Sequence, residues 1–376
     1  MAGTSLYSVY RRTARAAAKQ QVVKKTSNID IERARVDFAY FCDVVGDKPP
    51  ATHHKEWHKY LCTGEDTECL IGIGGPNIDI LAPRGSAKST VLGLFTAWAI
   101  GIHALHKKPL KILYISYTVD VARPKSAAIK RIIEDSKLYK EIFPTVKIAK
   151  GVSSNEYWSI DWKFAGIKST GEEEFTICCA GLKGAVTSKR SHLCIIDDAI
   201  KSAADIKNRD IRKEMEDNWN SVIVPTMFEG ARAVCLGTRF RHDDIHNTTF
   251  VPVNDWVQII QSAITVDEEG EEKSYWPEMW SLEYLSERRR QAPISFSFQY
   301  QNQIVQTSEL SIPPDLIVKG QIPTEFDSMG IGVDLSAGIR ERNDYTVFTL
   351  GGRLDDKIYV IDSKRIRIMG NLEKLE

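Results

Sequence analysis

The sequence predicts a doubly wound α/β domain on a mostly parallel sheet over residues 30–262, from three observations. Six short runs are almost continuously apolar and rich in β-branched residues: Asp79 to Ala82, Ile112 to Ser116, Phe175 to Cys179, Leu193 to Asp197, Ala233 to Gly237 and Val257 to Ile260. A strand with one wet face alternates polar and apolar residues. These do not alternate, so they are strands covered on both faces, as in a parallel sheet. Between them lie helical patterns, at Thr90 to His106, at Lys125 to Ser136, and with Ile211, Met215, Trp219 and Val222 on one face of a third helix. Strands and helices that take turns along the chain give βαβ units.

In chain order, residues 1–29 are a basic, Ala-rich arm with Arg11, Arg12, Arg15, Lys19, Lys24 and Lys25, no acidic residue in its first 25 positions and no apolar stretch of the kind a secretory signal needs. A solvated helix and a phosphate- or partner-contacting arm are equally good readings of it. After the α/β domain, residues 263–310 form a small subdomain. It has an acidic turn at Asp267 to Glu272, then Trp276-Pro277, and a helix from Ser281 that carries Arg288, Arg289 and Arg290. Those arginines read first as a solvated helix face and second as a contact to DNA phosphate. Residues 311–327, with Pro313, Pro314 and Pro323, read as a stiff linker. In 328–376, Gly330 to Asp334, Tyr345 to Leu350 and Lys357 to Asp362 read as three strands of a domain that the chain leaves incomplete, with Asp362 beginning a loop.

The chemistry starts where the first strand ends. Leu81-Ala82-Pro83-Arg84-Gly85-Ser86-Ala87-Lys88-Ser89-Thr90 leaves a strand, turns through small residues and enters a helix. A phosphate-binding loop needs small residues so that backbone N–H groups can close on the anion, a Lys for the β/γ oxygens and a Ser or Thr for Mg²⁺. Alanines stand at 82 and 87, where glycine is usual. A second apolar strand ends in Asp197-Asp198, which supplies a metal ligand and a water-activating carboxylate. The plainer reading of that pair, as helix caps, loses weight beside the loop. A third strand ends in Gly237-Thr238-Arg239, placing a hydroxyl and a guanidinium at the same sheet edge.

In this order the motifs resemble those of the large terminase subunit, the DNA-packaging motor ATPase of tailed bacteriophages, along nearly the whole chain. The resemblance rests on an Arg-bearing Walker A at Arg84 to Thr90, a Walker B at Leu193 to Asp198 and a coupling motif at Gly237-Thr238-Arg239. Trp276-Pro277-Glu278, Phe298 to Asn302 and the Asp334 strand, which is similar to the opening of the family's RNase H-like nuclease, continue it. It implies an additional-strand (ASCE-type) P-loop ATPase with a lid and a nuclease domain that cuts DNA with two Mg²⁺ or Mn²⁺ ions. It further implies that Arg84 and Lys88 contact the γ- and β/γ-phosphates, that Gly85, Ser86, Ala87 and Thr90 complete the ATP loop, and that Ser89 and Asp197 hold Mg²⁺. The water-activating position falls on Asp198, with Glu214 and Glu216 as alternatives. Thr238 and Arg239 would report hydrolysis, while Asp334 and Asp344 would hold nuclease metals. Trp57 or His54 would pack on adenine, and Arg123, Arg190 and Arg241 are candidates for a finger acting on a neighbouring subunit. The implied partners are double-stranded DNA, the portal protein and the small terminase subunit, around a homo-oligomeric ring on the portal built from monomers. The implied place is the host cytoplasm, transiently on the procapsid and not in the virion. In this chain nuclease activity is expected to be lost.

Composition narrows the alternatives. Lys plus Arg and Asp plus Glu are each 50, so any nucleic acid is held by local patches and not by a basic body. Apolar residues at 43% and charged residues at 27% exclude wholesale disorder. Apolar runs broken within a dozen positions by Lys, His or Asp exclude a membrane span as a partner surface. Seven cysteines with no Cys-x-x-Cys fit a reducing compartment and no zinc ribbon. His54 and His58 have a metal-ligand spacing, but no Glu or Cys completes a site. Two rival functions remain. A helicase-like remodeller would need a second RecA-like unit, for which too few residues follow Gln261, and a nucleotide-binding scaffold would have no need of Lys88, Ser89, Asp197 and Asp198 together.

Overall fold

A computed structural model describes residues 29–303, apart from 48, 63–74, 170, 172–173, 185, 187–188, 242 and 252–255, and residues 320–366, apart from 335–345 and 356. The basic arm up to residue 28 and Asp344 lie outside the described residues. The chain divides into two compact units, residues 1–305 and 306–376.

The first unit opens with three helices, α1 (Ile31–Val36), α2 (Phe38–Val45) and α3 (Thr52–Leu61). None is expected from the apolar pattern, yet two carry a local signal. Asp30 and Asp37 cap α1 and α2, accepting from the backbone N–H of Arg33 at 2.9 Å and of Tyr40 at 3.0 Å. An eight-stranded sheet follows, built from β1 (Ile78–Leu81), β2 (Ile112–Ser116), β3 (Ile148–Ser153), β4 (Tyr157–Ile160), β5 (Ile177–Gly181), β6 (Ser191–Asp197), β7 (Met227–Gly237) and β8 (Val257–Ile260). Their order is β3-β4-β5-β2-β6-β7-β1-β8. From β5 to β8 every pair is parallel, and β3 and β4 add an antiparallel edge. All six expected strands are present, in the expected mostly parallel α/β class.

Successive residues of the central strands enter two different cores. Ile112, Tyr114, Leu193, Ile195, Val234 and Leu236 join one, and Leu113, Ile115, Cys194, Ile196, Ala233 and Cys235 join the other. Both faces are dry, which is why these strands show no alternation in the sequence. The first face is covered by α4 (Lys88–Leu105) and α5 (Val119–Asp135), with α1 to α3 and α6 (Lys137–Ile142) around them. The second is covered by Met215 of α7 (Arg209–Asn218) and by Trp219, Ile223, Phe250 and Trp256.

Three expectations are corrected here. Helix α4 is long and apolar enough to cross a membrane by length and composition, because no Lys, Asp or His interrupts Ser89 to Ile102. In the fold 83% of that window is buried inside the domain, so it is the central core helix. Helix α5 starts at Val119 and not near Lys125, and it carries Pro124 inside it as its sixth residue, a position where proline ordinarily breaks the helical pattern. The third helix is α-helical only to Asn218. Trp219–Ile223 is a π turn, and after it Ile223, not the expected Val222, is buried with Trp219 in the second core.

After β8 come a hairpin, β9 (Ile264–Val266) with β10 (Glu272–Ser274), and two helices, α8 (Leu282–Gln291) and α9 (Pro293–Gln299). They enclose a small core of Ala263, Ile264, Leu285 and Phe296. Arg289 clamps Glu272 with two bonds of 2.7 and 2.8 Å, while Arg290 pairs with Glu287 and Arg288 with Tyr284. Arg289 therefore ties α8 to the hairpin, while the other two pair within their own helix.

The second unit is an antiparallel meander of β11 (Ser328–Asp334), β12 (Thr346–Leu354) and β13 (Lys357–Ile366). Asp334 ends β11 in solvent. Asp362 pairs with Leu350 inside β13 and begins no loop.

Candidate active site

The sheet register brings three strand ends to one edge. Leu81 of β1 lies opposite Gly237 of β7, and Leu236 lies opposite Asp197 of β6. Strand β7 thus stands between the loop strand and the acidic strand, which is the additional-strand arrangement. Ligands of open parallel sheets bind beyond such carboxyl ends. The cleft there holds about 370 Å³, lined by Arg84 to Thr90 with Tyr117, Val121, Asp198, Ile200, Lys201, Thr238, Phe240 and Gln299.

The loop is tightly wound. Gly85 and Ala87 take positive φ values of 81° and 62°, so the backbone coils tightly before Lys88 opens α4. Glycine accepts that conformation freely, whereas alanine at 87 carries a strain of roughly 1–2 kcal/mol. Lys88 Nζ donates to the carbonyls of Ala82 at 3.0 Å and Pro83 at 3.1 Å and to Thr238 Oγ1 at 3.1 Å. Burial pulls its pKa below the ordinary lysine value, against the pull of Asp198 and Asp197.

Asp197 is fully buried and Asp198 is turned out. Ser89 Oγ donates to Asp197 Oδ1 at 2.9 Å, and Tyr114 OH donates to Oδ2 at 2.7 Å. Lys125 Nζ lies 3.0 Å from Oδ1. Burial raises the Asp197 carboxyl above the usual carboxylate range, opposed by Lys125 and the Tyr114 bond. The same phenol is pushed well above its ordinary pKa by burial and by the carboxylate it serves. Asp198 has φ 55°, a left-handed bend that rotates its side chain into the cleft, where it is 38% exposed. Ser89, Asp197 and Asp198 form an all-oxygen set of hard donors, which fits Mg²⁺ and not a soft metal.

Other expected residues are placed elsewhere. Arg239 does not face the cleft. Its Nη2 donates to Asn247 at 2.8 Å and Gln258 at 3.3 Å, and its backbone N–H donates to Asn302 Oδ1 at 3.2 Å. It belongs to a buried network behind the sheet edge, in which Gln258 donates to Asp79 at 2.9 Å and His246 Nδ1 lies 2.9 Å from Asp79. Burial would lower the His246 pKa, but Asp79 outweighs it and holds the group above its ordinary value. Trp57 is fully buried in the first core and does not line the cleft, so it offers no face to a base. Glu214 pairs with Lys183 at 2.9 Å and Glu216 accepts from Thr248, and neither lines the cleft. Arg123 is held by Asp120 and Glu156, Arg190 lies over Phe228, and Arg241 pairs with Asp243.

His54, expected with Trp57 as an adenine contact, is buried and does not line the cleft, and it joins two further residues as supports of the loop that no motif announces. His54 accepts from Ala51 N–H through Nδ1 at 3.2 Å, which fixes the proton on Nε2, and Nε2 then donates to the Ser86 carbonyl at 2.8 Å. A neutral His54 thus braces the loop from below. Trp280 lies on Gly85, donating to its carbonyl at 3.2 Å, and a Cβ at Gly85 would meet that ring at 2.7 Å. Gln299 accepts the Arg84 backbone N–H at 2.7 Å through its carbonyl and the Arg84 guanidinium at 3.0 Å through Oε1.

No protein-family model and no curated protein sequence matches the chain. Among solved structures it is similar to the large terminase from a thermophilic bacteriophage in complex with ATP-γ-S, at 9% identity and TM-score 0.43, over 85% of this chain and 68% of that one. The bacteriophage HK97 large terminase is similar at 15% identity and TM-score 0.42, over 88% and 67%. The large terminase ATPase domain of Thermus phage P74-26 is similar at 15% identity and TM-score 0.41, over 70% and 98%. The chain resembles phage large terminases. At these identities the likeness is one of fold, and the residue assignments rest on the geometry above.

Proposed function

We propose that the cleft binds and hydrolyses Mg²⁺-ATP and that the chain is a viral DNA-packaging motor ATPase of the large-terminase type. The observation that carries the reading is the 2.9 Å bond from Ser89 of the loop to Asp197 of the acidic strand, with Asp198 beside it in the cleft. A structural turn with an incidental lysine has no reason to bring those side chains together.

Backbone N–H groups of Gly85 to Ser89 at the start of α4 would hold the phosphates. Lys88 would exchange the Ala82 and Pro83 carbonyls for β/γ oxygens, and Arg84 would leave Gln299 for the γ-phosphate. Ser89 and Asp197 would hold Mg²⁺, whose charge offsets that of the phosphates. Asp198, exposed where Asp197 is sealed, would orient the attacking water and take its proton. Thr238 shares Lys88 with the loop, so loss of the γ-phosphate would change what Thr238 Oγ1 accepts. Holding of Mg²⁺ or Mn²⁺ ions by Asp334 and Asp344, without the cutting activity that this chain is expected to lack, action on double-stranded DNA, the portal and small-terminase partners, ring assembly on the portal and transient residence on the procapsid in the host cytoplasm belong to the same proposal.

The test is ATP turnover by the purified chain, alone and with linear duplex DNA and portal-bearing procapsids. Lys88→Ala and Asp197→Ala each remove a charge aimed at phosphate or metal and are expected to abolish Mg²⁺-dependent turnover with the fold intact. Near-native turnover in either variant would sink the ATPase reading. Turnover stimulated by DNA but not by procapsids would favour a helicase-like remodeller.

A further inference from the structure

The Asp197–Asp198 pair already has a cation. Lys125 of α5 places Nζ 3.0 Å from Asp197 Oδ1, 3.0 Å from the Asp197 carbonyl and 3.8 Å from Asp198 Oδ2. Lys88 makes no hydrogen bond to either carboxylate and is spent on Ala82, Pro83 and Thr238. Lys125 is only 18% exposed and the Asp197 side chain is 0% exposed, so water screens this contact poorly. The ammonium bonds the same Oδ1 that Ser89 bonds, on the side that faces Asp198. Nothing in the local sequence announces this, because Lys125 follows Pro124 as one more polar residue on an amphipathic helix.

We propose that Lys125 is a resident counter-ion of the two acidic residues and sets the affinity of the metal site by competing with the incoming divalent cation. The proposal rests on the reading of Ser89, Asp197 and Asp198 as the metal site. In the metal-free chain Lys125 holds Asp197 Oδ1 in place beside Ser89. A divalent ion that binds the same oxygens meets a like charge and has to displace it, so the ammonium lowers metal affinity and guards against a metal bound without nucleotide. Lys125 is a positioning residue that acts through the carboxylates.

The experiment titrates the nucleotide-free full chain with Mn²⁺, reading free ion by electron paramagnetic resonance. Lys125→Gln is expected to bind Mn²⁺ at least about tenfold tighter than the native chain, because an adjacent positive charge is gone. Lys125→Arg, which keeps the charge, is expected to bind like the native chain, and Asp197→Asn to lose binding. If Asp197→Asn loses binding while Lys125→Gln leaves it unchanged or weaker, the Lys125 proposal is overturned and the metal-site reading stands. If Asp197→Asn binds as well as the native chain, the metal site itself is wrong and the proposal goes with it. A second measurement needs no variant. Acetylation of Lys125 in the native chain, followed by mass spectrometry, is expected to be slow without metal and several-fold faster with saturating Mn²⁺, and equal rates would overturn the proposal.

Discussion

Ala87 and Tyr114 are the residues at which the cleft departs from a bare motif. Ala87 holds φ 62° where a glycine would be unstrained. Ala87→Gly removes that strain but also loosens the unfolded chain, so the net gain is expected to be about 0.5–1 kcal/mol in urea unfolding. A loss of stability would mean that the methyl contributes packing worth more than the strain. Tyr114 is buried at 0% exposure and donates to Asp197 Oδ2. Tyr114→Phe keeps the ring and strips the hydroxyl, leaving a sealed carboxylate oxygen with one donor fewer. A cost of about 1.5–3 kcal/mol follows, with a further rise in the Asp197 pKa. The same unfolding series and a pH titration of Mn²⁺ binding check both. At this scale the sequence disclosed what is local. Lys88, Ser89, Asp197, Asp198 and Thr238 are named by strand-end motifs, and the fold brings them to one edge. Lys125, Tyr114, His54 and Gln299 reach the site from other elements, and no spacing rule encodes such distances. Arg239 and Trp57 sit in suitable stretches but their side chains are directed away, a matter of packing and not of motif.

Helix α3 and helix α4 meet their neighbours through contacts whose energetics have a predictable sign. Helix α3 carries His53, His54 and His58, all buried beside Phe38, Trp57, Tyr275 and Trp276. Burial lowers His53 from 6.5 to about 3 and His58 to about 4, and it lowers His54 as well. The unfolded chain therefore takes up protons first, near pH 6.5. Stability present above that pH is lost as pH falls toward the folded values, by about 1–2 kcal/mol each for His53 and His58 between pH 6.5 and 5. His246 runs the other way. Asp79 holds its pKa above 6.5, so its contribution is present below 6.5 and is lost as pH rises through the raised value. Denaturant unfolding at pH 7.5 and pH 5 is expected to show the chain weaker at pH 5, and His58→Phe is expected to narrow the gap. In α4, Gly101 faces Phe143, and a Cβ there would meet the ring at 2.4–2.6 Å. Alanine gains about 1 kcal/mol of helix propensity over glycine, but Phe143 is fully buried and has nowhere to go. Gly101→Ala is expected to cost about 1–3 kcal/mol net, measured by thermal unfolding.

Across the whole molecule, the doubly wound sheet was legible because burial on both faces erases alternation, and a run such as Leu193 to Ile196 has no other use. The N-terminal helices and the β3–β4 edge were not legible, since runs of 6, 8 and 10 residues in the helices and of 6 and 4 in the strands are too short to display a period, and their order comes from packing on α4 and on β5. The two units differ in the same physical terms. Residues 1–305 bury two extended cores on one sheet, and every residue that lines the cleft belongs to them. The meander of residues 328–366 has Met329 at 60%, Ile331 at 66%, Ile358 at 78% and Val360 at 66% exposure, so its three strands are held by ladder bonds with little apolar burial. Sheets of this size are marginal without a covered face. Amides of β11 to β13 are therefore expected to exchange with deuterium well before those of β2, β6 and β7, whose opening requires the two cores to come apart. A chain of residues 1–305 is correspondingly expected to bind ATP-γ-S with the affinity of the full chain and to keep its main unfolding midpoint. A loss of nucleotide affinity of tenfold or more on removing residues 306–376, with the midpoint unchanged, would show that the second unit contributes to the cleft and that the separation drawn from the cores is wrong.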